Sequence, residues 1–306
     1  MKKLLLSFVL IGIAFAGGLM APRWIQSQGK EEVNSDSTEE FFGTRFIPNP
    51  FPIENRPFVV IIVGANNGGS VEKTLTSVFA QTYEHFRTIY IDDASNDGSF
   101  EVARDLIYNS EHLLQVTLVQ NEERLGELAN LYRAMQSCSD DEIAVVLGGE
   151  DWLAHEWVLQ RLNGYYADPD LWLTFGQSID FPTFQRGVAR PVSLSDWKER
   201  GFRGHPFIAS GLKTFYVGLF KQILEADFVL NGQFLPTCSD LAYMIPMLEM
   251  ARDHFQCIPE VLYVHNLQSL QREDRDLQFR CEKYVRSLNS YPCLASLSLH
   301  PAECVE

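Results

Sequence analysis

Glu150 and Asp151 stand side by side after two glycines, at the end of the apolar run Ile143 to Leu147. Two carboxylates delivered into a loop at the mouth of a buried strand are hard oxygen donors for Mg2+ or Mn2+. Such ions commonly keep waters or phosphate oxygens in their remaining positions. Taken alone, the stretch fits a solvated acidic turn equally well. What decides between the two is the set of elements that precede it.

Those elements repeat one plan. Phe58 to Val63 is a continuous apolar run, the pattern of a strand covered on both faces, and Gly64 to Gly69 is the loop after it. Ser70 then fits the cap of a helix from Val71 to about Gln81, with Val71, Leu75 and Val78 on one face. Arg87 to Ile91 reads as the next strand, Asp92 to Gly98 as an acidic turn, and Phe100 to Tyr108 as a helix. Val116 to Val119 is a third strand, followed by a loop at Asn121 to Gly126 and a helix from Glu127 to Ser137. The strand before Gly148 comes next, and a helix is expected to restart near His155 and run to Tyr166, followed by a buried strand at Leu171 to Gln177. Strands and helices alternating at this spacing predict an α/β fold with a mainly parallel sheet and right-handed crossovers. Ligands of such sheets bind beyond the carboxyl ends of the strands, where the loops at Gly64, Asp92, Gly126 and Glu150 gather. Further on, Ser239 to Met250 predicts a helix, Pro259 to Tyr263 a short strand, and Arg272 to Leu288 an amphipathic helix.

The 306 residues, 46% hydrophobic and 21% charged, suffice for a substantial core, and the net charge of -15 argues against free nucleic acid as a partner. One stretch runs against that charge. Between Arg186 and Lys221 lie Arg186, Arg190, Lys198, Arg200, Arg203, Lys213 and Lys221, which read either as a solvated face or as a contact for phosphate or an anionic acceptor. The chain opens with Met1-Lys2-Lys3 and an apolar run from Leu4 to Ala16 that continues through Ala21. This fits a signal peptide cut after Ala14-Phe15-Ala16 or an uncleaved membrane anchor, either of which sends the rest of the chain to the non-cytoplasmic side. Residues 1–21 are therefore the signal or anchor and 22–57 a linker. Residues 58–180 and 181–290 are two halves of one domain, and 291–306 are a tail. The six cysteines contain no C-x-x-C pair; Cys138 and Cys257 read as buried free thiols, and Cys281, Cys293 and Cys304 lie close enough to staple the tail.

The segment FVVIIVGANNGGSVEKTLTSVFAQTYEHFRTIYIDDASNDGS, then NEERLGELANLYRAM, then EIAVVLGGEDWLAH, resembles the inverting family-two glycosyltransferases of GT-A fold. The resemblance covers about Phe58 to Gln177, with a looser match from Thr237 to Asn266. It implies a Rossmann-like GT-A fold with an acceptor-side extension, and transfer of a sugar, with a UDP-sugar as the expected donor, to a hydroxyl of a glycan, lipid or protein acceptor. Carried over by position, Ala65 and Asn66 occupy the nucleotide-contacting turn and Asp92-Asp93 the nucleoside-binding aspartates. Gly126 and Asn130 match the residues that let a helix approach the nucleotide, and Glu150 and Asp151 fall in the metal motif. Asp240 matches the catalytic base, with helix capping as its bland alternative, and His265 is either a further metal ligand or a packed histidine.

The chain departs from the family where it matters. An Asp-x-Asp-Asp pattern is usual at the metal motif, and here it is Gly148-Gly149-Glu150-Asp151, so the first carboxylate is gone. Val63 and Ala65 stand where proline and tyrosine are frequent. The expected activity is metal-assisted transfer with inversion. The alternative is a catalytically impaired relative that binds a nucleotide sugar or a glycan.

Overall fold

The computed structural model describes residues 41–42, 54–193, 201–209, 211–269 and 274–299. The expected signal or anchor and Cys304 lie outside them. Among the described residues no helix is long and apolar enough to cross a membrane.

The strands, in chain order, are β1 (Phe41–Phe42), β2 (Phe58–Gly64), β3 (Phe86–Asp92), β4 (Val116–Gln120), β5 (Ile143–Gly148), β6 (Trp152–Leu153), β7 (Leu173–Phe181), β8 (Val192–Ser193), β9 (Lys213–Tyr216), β10 (Val229–Leu230), β11 (Gln233–Phe234) and β12 (Phe255–Asn266). The helices that matter here are α1 (Gly68–Phe79), α2 (Ser99–Tyr108), α3 (Glu127–Gln136), α4 (Val158–Tyr165), α5 (Val217–Phe220), α6 (Ser239–Ala251) and α7 (Arg275–Ser287). Eight strands form one sheet in the order β4-β3-β2-β5-β9-β7-β12-β6. The first four are parallel, as are β7 and β12, while β9 and the short β6 run antiparallel to their neighbours.

Side-chain alternation divides the core into two layers. Val59, Ile61, Ala144 and Val146 pack on one face with Leu128, Leu131 and Met135 of α3 and the apolar side of α6. Val60, Ile62, Val145 and Leu147 pack on the other face with Val71, Leu75 and Val78 of α1, Ile107 of α2 and Leu159 of α4. Both faces are covered, so β2 and β5 need apolar residues at every position, which is why they read as unbroken runs. The methionines Met244, Met247 and Met250 are core.

Several boundaries differ from expectation. Helix α1 starts at Gly68 rather than Val71, and its cap is Asn67, whose carbonyl accepts from the N–H groups of Ser70 and Val71. The expected helix near His155 is delayed to Val158, because Trp152–Leu153 first pairs with Tyr263 and Val264 of β12. Strand β12 begins at Phe255, four residues before the expected start, held in parallel register by β7. Within the expected linker, Phe41 and Phe42 pair with Ser193 and Val192. Strand β9 inserts between β5 and β7, so residues on both sides of position 180 share one sheet. Cys138 and Cys257 are buried free thiols as expected, and Cys281 (buried) and Cys293 (exposed) are free as well.

Candidate active site at the carboxyl edge of the sheet

The loop Gly148–Asp151 leaves the end of β5 and is seated directly on the loop after β2. The N–H of Gly149 donates to Val63 O at 3.0 Å, and its carbonyl accepts from Asn67 Nδ2 and from Thr74 Oγ1, the latter at 3.0 Å. A Cβ on Gly149 would lie 2.5 Å from Gly64 Cα, so only glycine permits this approach.

Asp151 is 3% exposed. Its Oδ1 accepts from the N–H of Asn266 at 2.7 Å, and its Oδ2 accepts from the hydroxyl of Tyr263. Burial raises its pKa, and the Tyr263 hydroxyl, the Asn266 N–H, His265 and Lys213 oppose the rise. Asp151 thus fastens the loop to β12. A Cβ on Gly148 would stand 2.8 Å from Asp151 Oδ2 and 3.5 Å from the Tyr263 hydroxyl, so a side chain at this position would crowd the Asp151–Tyr263 pair.

Glu150 is different. It is half-buried, and burial together with the adjacent Asp151 pushes its carboxyl up to about 7. Among the described residues no cation forms an ion pair with it. His265, whose Nδ1 lies 3.4 Å from Asp180 Oδ1, faces Glu150 and Asp151 from β12 and moderates both. The described residues contain no cluster of three His, Cys, Asp or Glu side chains spaced as a complete metal cage. The donor set still suits an ion such as Mg2+, which is bound through one or two carboxylates plus substrate phosphates. Glu150, an uncompensated carboxylate in a low-dielectric setting, is the group such an ion would neutralise.

Asp240 lies in the first turn of α6, after Cys238, which occupies the cap position in a left-handed conformation at φ 61°. Neither Ser239 nor Asp240 is the cap residue. Ser239 instead donates to Glu127 at the start of α3, which joins the amino-terminal turns of the two helices. Glu127 lies within electrostatic reach of Asp240, Asp151 and Glu150, so four carboxyl groups from three segments are gathered at this edge. Sequence reasoning missed Glu127, Tyr263 and Asn266. Only the position of Glu127, directly behind the helix-starting Gly126, could have marked it.

The residues expected on the nucleoside side are mostly engaged with one another and with nearby backbone. Asp93 is 2% exposed and accepts from Leu125 N and Gly126 N at 2.9 Å and from Asn121 Nδ2 at 2.8 Å. Burial alone would raise its pKa, but these donors and Asn130 more than offset that and hold it low. Asn130 is also buried, donating to Gly126 O and accepting from Asn121. Gly126, at φ 87°, makes the turn into α3. Asp92 accepts from Ser95 N at 3.0 Å through Oδ1, and its buried Oδ2 has no partner among the described residues. Asn66, exposed and at φ 56°, binds Ser95 Oγ and Asn96 N and so locks the first loop to the second; Ala65 beside it is half-buried.

The family model described as "Glycosyl transferase family 2" matches residues 59–225. A protein of Mycobacterium tuberculosis (strain CDC 1551 / Oshkosh), itself described as uncharacterized, is 28% identical over 110 residues, which cover 36% of this chain and 32% of that one. Among solved structures, S. aureus TarS 1-349 in complex with UDP matches with a TM-score of 0.51 at 14% identity, covering 69% of this chain and 60% of that chain. The mannosyltransferase PcManGT from Pyrobaculum calidifontis, in complex with GDP-Man and Mn2+, matches with a TM-score of 0.48 at 21% identity, covering 69% and 57%. The chain therefore spans about a third of the curated relative and about three-fifths of these structures. The TarS likeness concerns the fold, a GT-A-like Rossmann arrangement of a mostly parallel sheet flanked by helices.

Proposed function

Because the chain belongs to glycosyl transferase family 2, we propose that it transfers a sugar from a nucleotide-sugar donor, a UDP-sugar by preference, to an acceptor hydroxyl with inversion. The observation that carries this reading is the gathering of Glu150, Asp151, Glu127 and Asp240 within electrostatic reach at the carboxyl edge of the sheet, with Glu150 lacking a cation partner among the described residues. Glu150 would hold Mn2+ or Mg2+ together with donor phosphate oxygens, while Asp151 fixes the loop that carries it. The ion, when bound, stabilises the negative charge that builds on the departing nucleoside diphosphate. Asp240, in the first turn of α6, takes the proton of the acceptor hydroxyl as that oxygen attacks the anomeric carbon. On the nucleoside side Asp92 keeps an unused acceptor for a base N–H, whereas the oxygens of Asp93 are already taken. The amino-terminal lysines and apolar run support placement of the domain on the non-cytoplasmic side of a membrane, with the N-terminus as its point of membrane association.

A second reading, a relative that binds a nucleotide sugar or glycan without turning it over, is favoured by one observation: the Asp151–Tyr263 pair fills the space next to Gly148. A screen of nucleotide sugars with Mn2+ or Mg2+, scored for release of free nucleotide, separates the two. Turnover that falls at least about 100-fold in Asp240→Asn supports transfer with Asp240 as base. Donor binding without turnover supports the second reading.

A further inference from the structure

The seven basic residues between Arg186 and Lys221 do not form one face. Arg203 is buried in an ion pair with Glu249 at 2.8 Å, the two side chains 9% and 7% exposed, and also donates to the carbonyl of Val285. Lys221 is bound to Asp140 and to the carbonyl of Cys138, both at 2.7 Å. Arg186 and Arg190 are exposed, and Lys198 and Arg200 lie outside the described residues. Lys213 is left. It is half-buried, yet among the described residues its ammonium has neither a hydrogen bond nor an ion pair.

Strand register says where it points. Lys213 opens β9 opposite Val146 of β5, two residues before Gly148. Thr214 faces the α4 side, where it bonds to Tyr166 and Thr174. Phe215 turns the other way, into the layer beneath α3 and α6. By the two-residue period of a strand, Lys213 shares the face of Phe215. It therefore emerges at the sheet edge where α3 and α6 bring Glu127 and Asp240 together, within electrostatic reach of Glu127 and Asp151.

The Lys213 ammonium carries three donors that no described residue accepts, and the oxygens of an anionic ligand would satisfy them. The carboxylates nearby attract it but do not bond to it. A diphosphate that shares a divalent ion with Glu150 would lie at this edge, and lysine suits it as a compact charge that reaches phosphate oxygens without the fixed fork of arginine. We propose that Lys213 binds the diphosphate of the donor and supplies part of its charge neutralisation, at a metal motif that has one carboxylate fewer because Gly148 stands at its first position. The assignment rests on the proposed glycosyltransferase reading.

The test is calorimetric titration of the full chain in Mg2+ with UDP, GDP, uridine and guanosine, for wild type, Lys213→Met and Lys213→Arg. Lys213→Met is expected to weaken nucleoside diphosphate binding about 10-fold or more, to leave the matching nucleoside unchanged, and to be largely rescued in Lys213→Arg. The unchanged nucleoside affinity also reports an intact fold. Equal diphosphate affinity in wild type and Lys213→Met overturns the proposal, as does an equal loss for diphosphate and nucleoside. If wild type binds neither diphosphate, the glycosyltransferase reading itself fails and the assignment falls with it.

Discussion

Substituting alanine for Gly149 tests how the Gly148–Asp151 loop is seated. The added Cβ would stand 2.5 Å from Gly64 Cα, 2.6 Å from Asn67 Nδ2 and 3.0 Å from Val63 O. Carbon atoms pack at about 3.5–4.0 Å, so the loop must retreat by about 1 Å from a neighbour that is backbone and cannot rotate away. Retreat stretches three hydrogen bonds, from Gly149 N to Val63 O and from Asn67 and Thr74 to Gly149 O. Overpacking costs about 1–3 kcal/mol, and each buried bond left unmade adds about 1 kcal/mol or more. The expected loss of stability is therefore about 3–5 kcal/mol, read from urea unfolding. Glu150, the next residue, moves with the loop, and a displacement of about 1 Å in a positioned group costs about 100-fold in turnover. Gly164→Ala in α4 is the control: nothing lies within 4 Å of its Cβ and its backbone is not left-handed, so it is neutral or stabilising by up to about 1 kcal/mol. A Gly149→Ala protein within about 0.5 kcal/mol of wild type would refute the close seating of the two loops.

Two further outcomes follow from the carboxylates. Glu150 titrates near 7 in the folded chain against an ordinary 4.5, so between those values the folded state holds a proton that the unfolded state has released. Stability of the metal-free protein falls as pH rises through that window, by at most about 3 kcal/mol. Glu150→Gln flattens the fall, which urea midpoints at pH 5 and pH 8 measure; equal pH slopes in the two proteins would contradict the assignment. Asp93 has the opposite sign. Its lowered pKa adds stability that is lost as pH drops below the ordinary carboxylate range, and Asp93→Asn, which turns an NH2 toward the donors of Leu125, Gly126 and Asn121, costs about 1–3 kcal/mol by denaturant unfolding. A change below about 0.5 kcal/mol would show that Asp93 does not hold the loop before α3.

Strands β2 and β5 were legible because burial on both faces forces a continuous apolar run, a pattern that polar loop residues then interrupt. The start of α1 was not, since its first residues are glycines and its cap works through the carbonyl of Asn67 rather than a serine side chain. Strand β6 was hidden because two residues pair only with a partner more than a hundred positions away. The same distance explains the site. The sequence picks out Glu150 and Asp151 as neighbours, but their different surroundings come from β12, whose Tyr263 and Asn266 claim Asp151 and leave Glu150 open. Asp240 was visible as an acidic helix start. Glu127 and Lys213 join it only because α3 and β9 are brought to one edge, and no local spacing encodes that.

Turnover is the most direct test of the central claim. Purified chain supplied with a panel of nucleotide sugars and Mn2+ or Mg2+ is predicted to release nucleoside diphosphate, with the rate falling at least about 100-fold in Asp240→Asn and with chelation abolishing the wild-type rate. Release that persists undiminished in Asp240→Asn and under chelation would contradict the roles assigned to Asp240 and Glu150. No release from any donor, with binding retained, would leave the non-catalytic reading in its place.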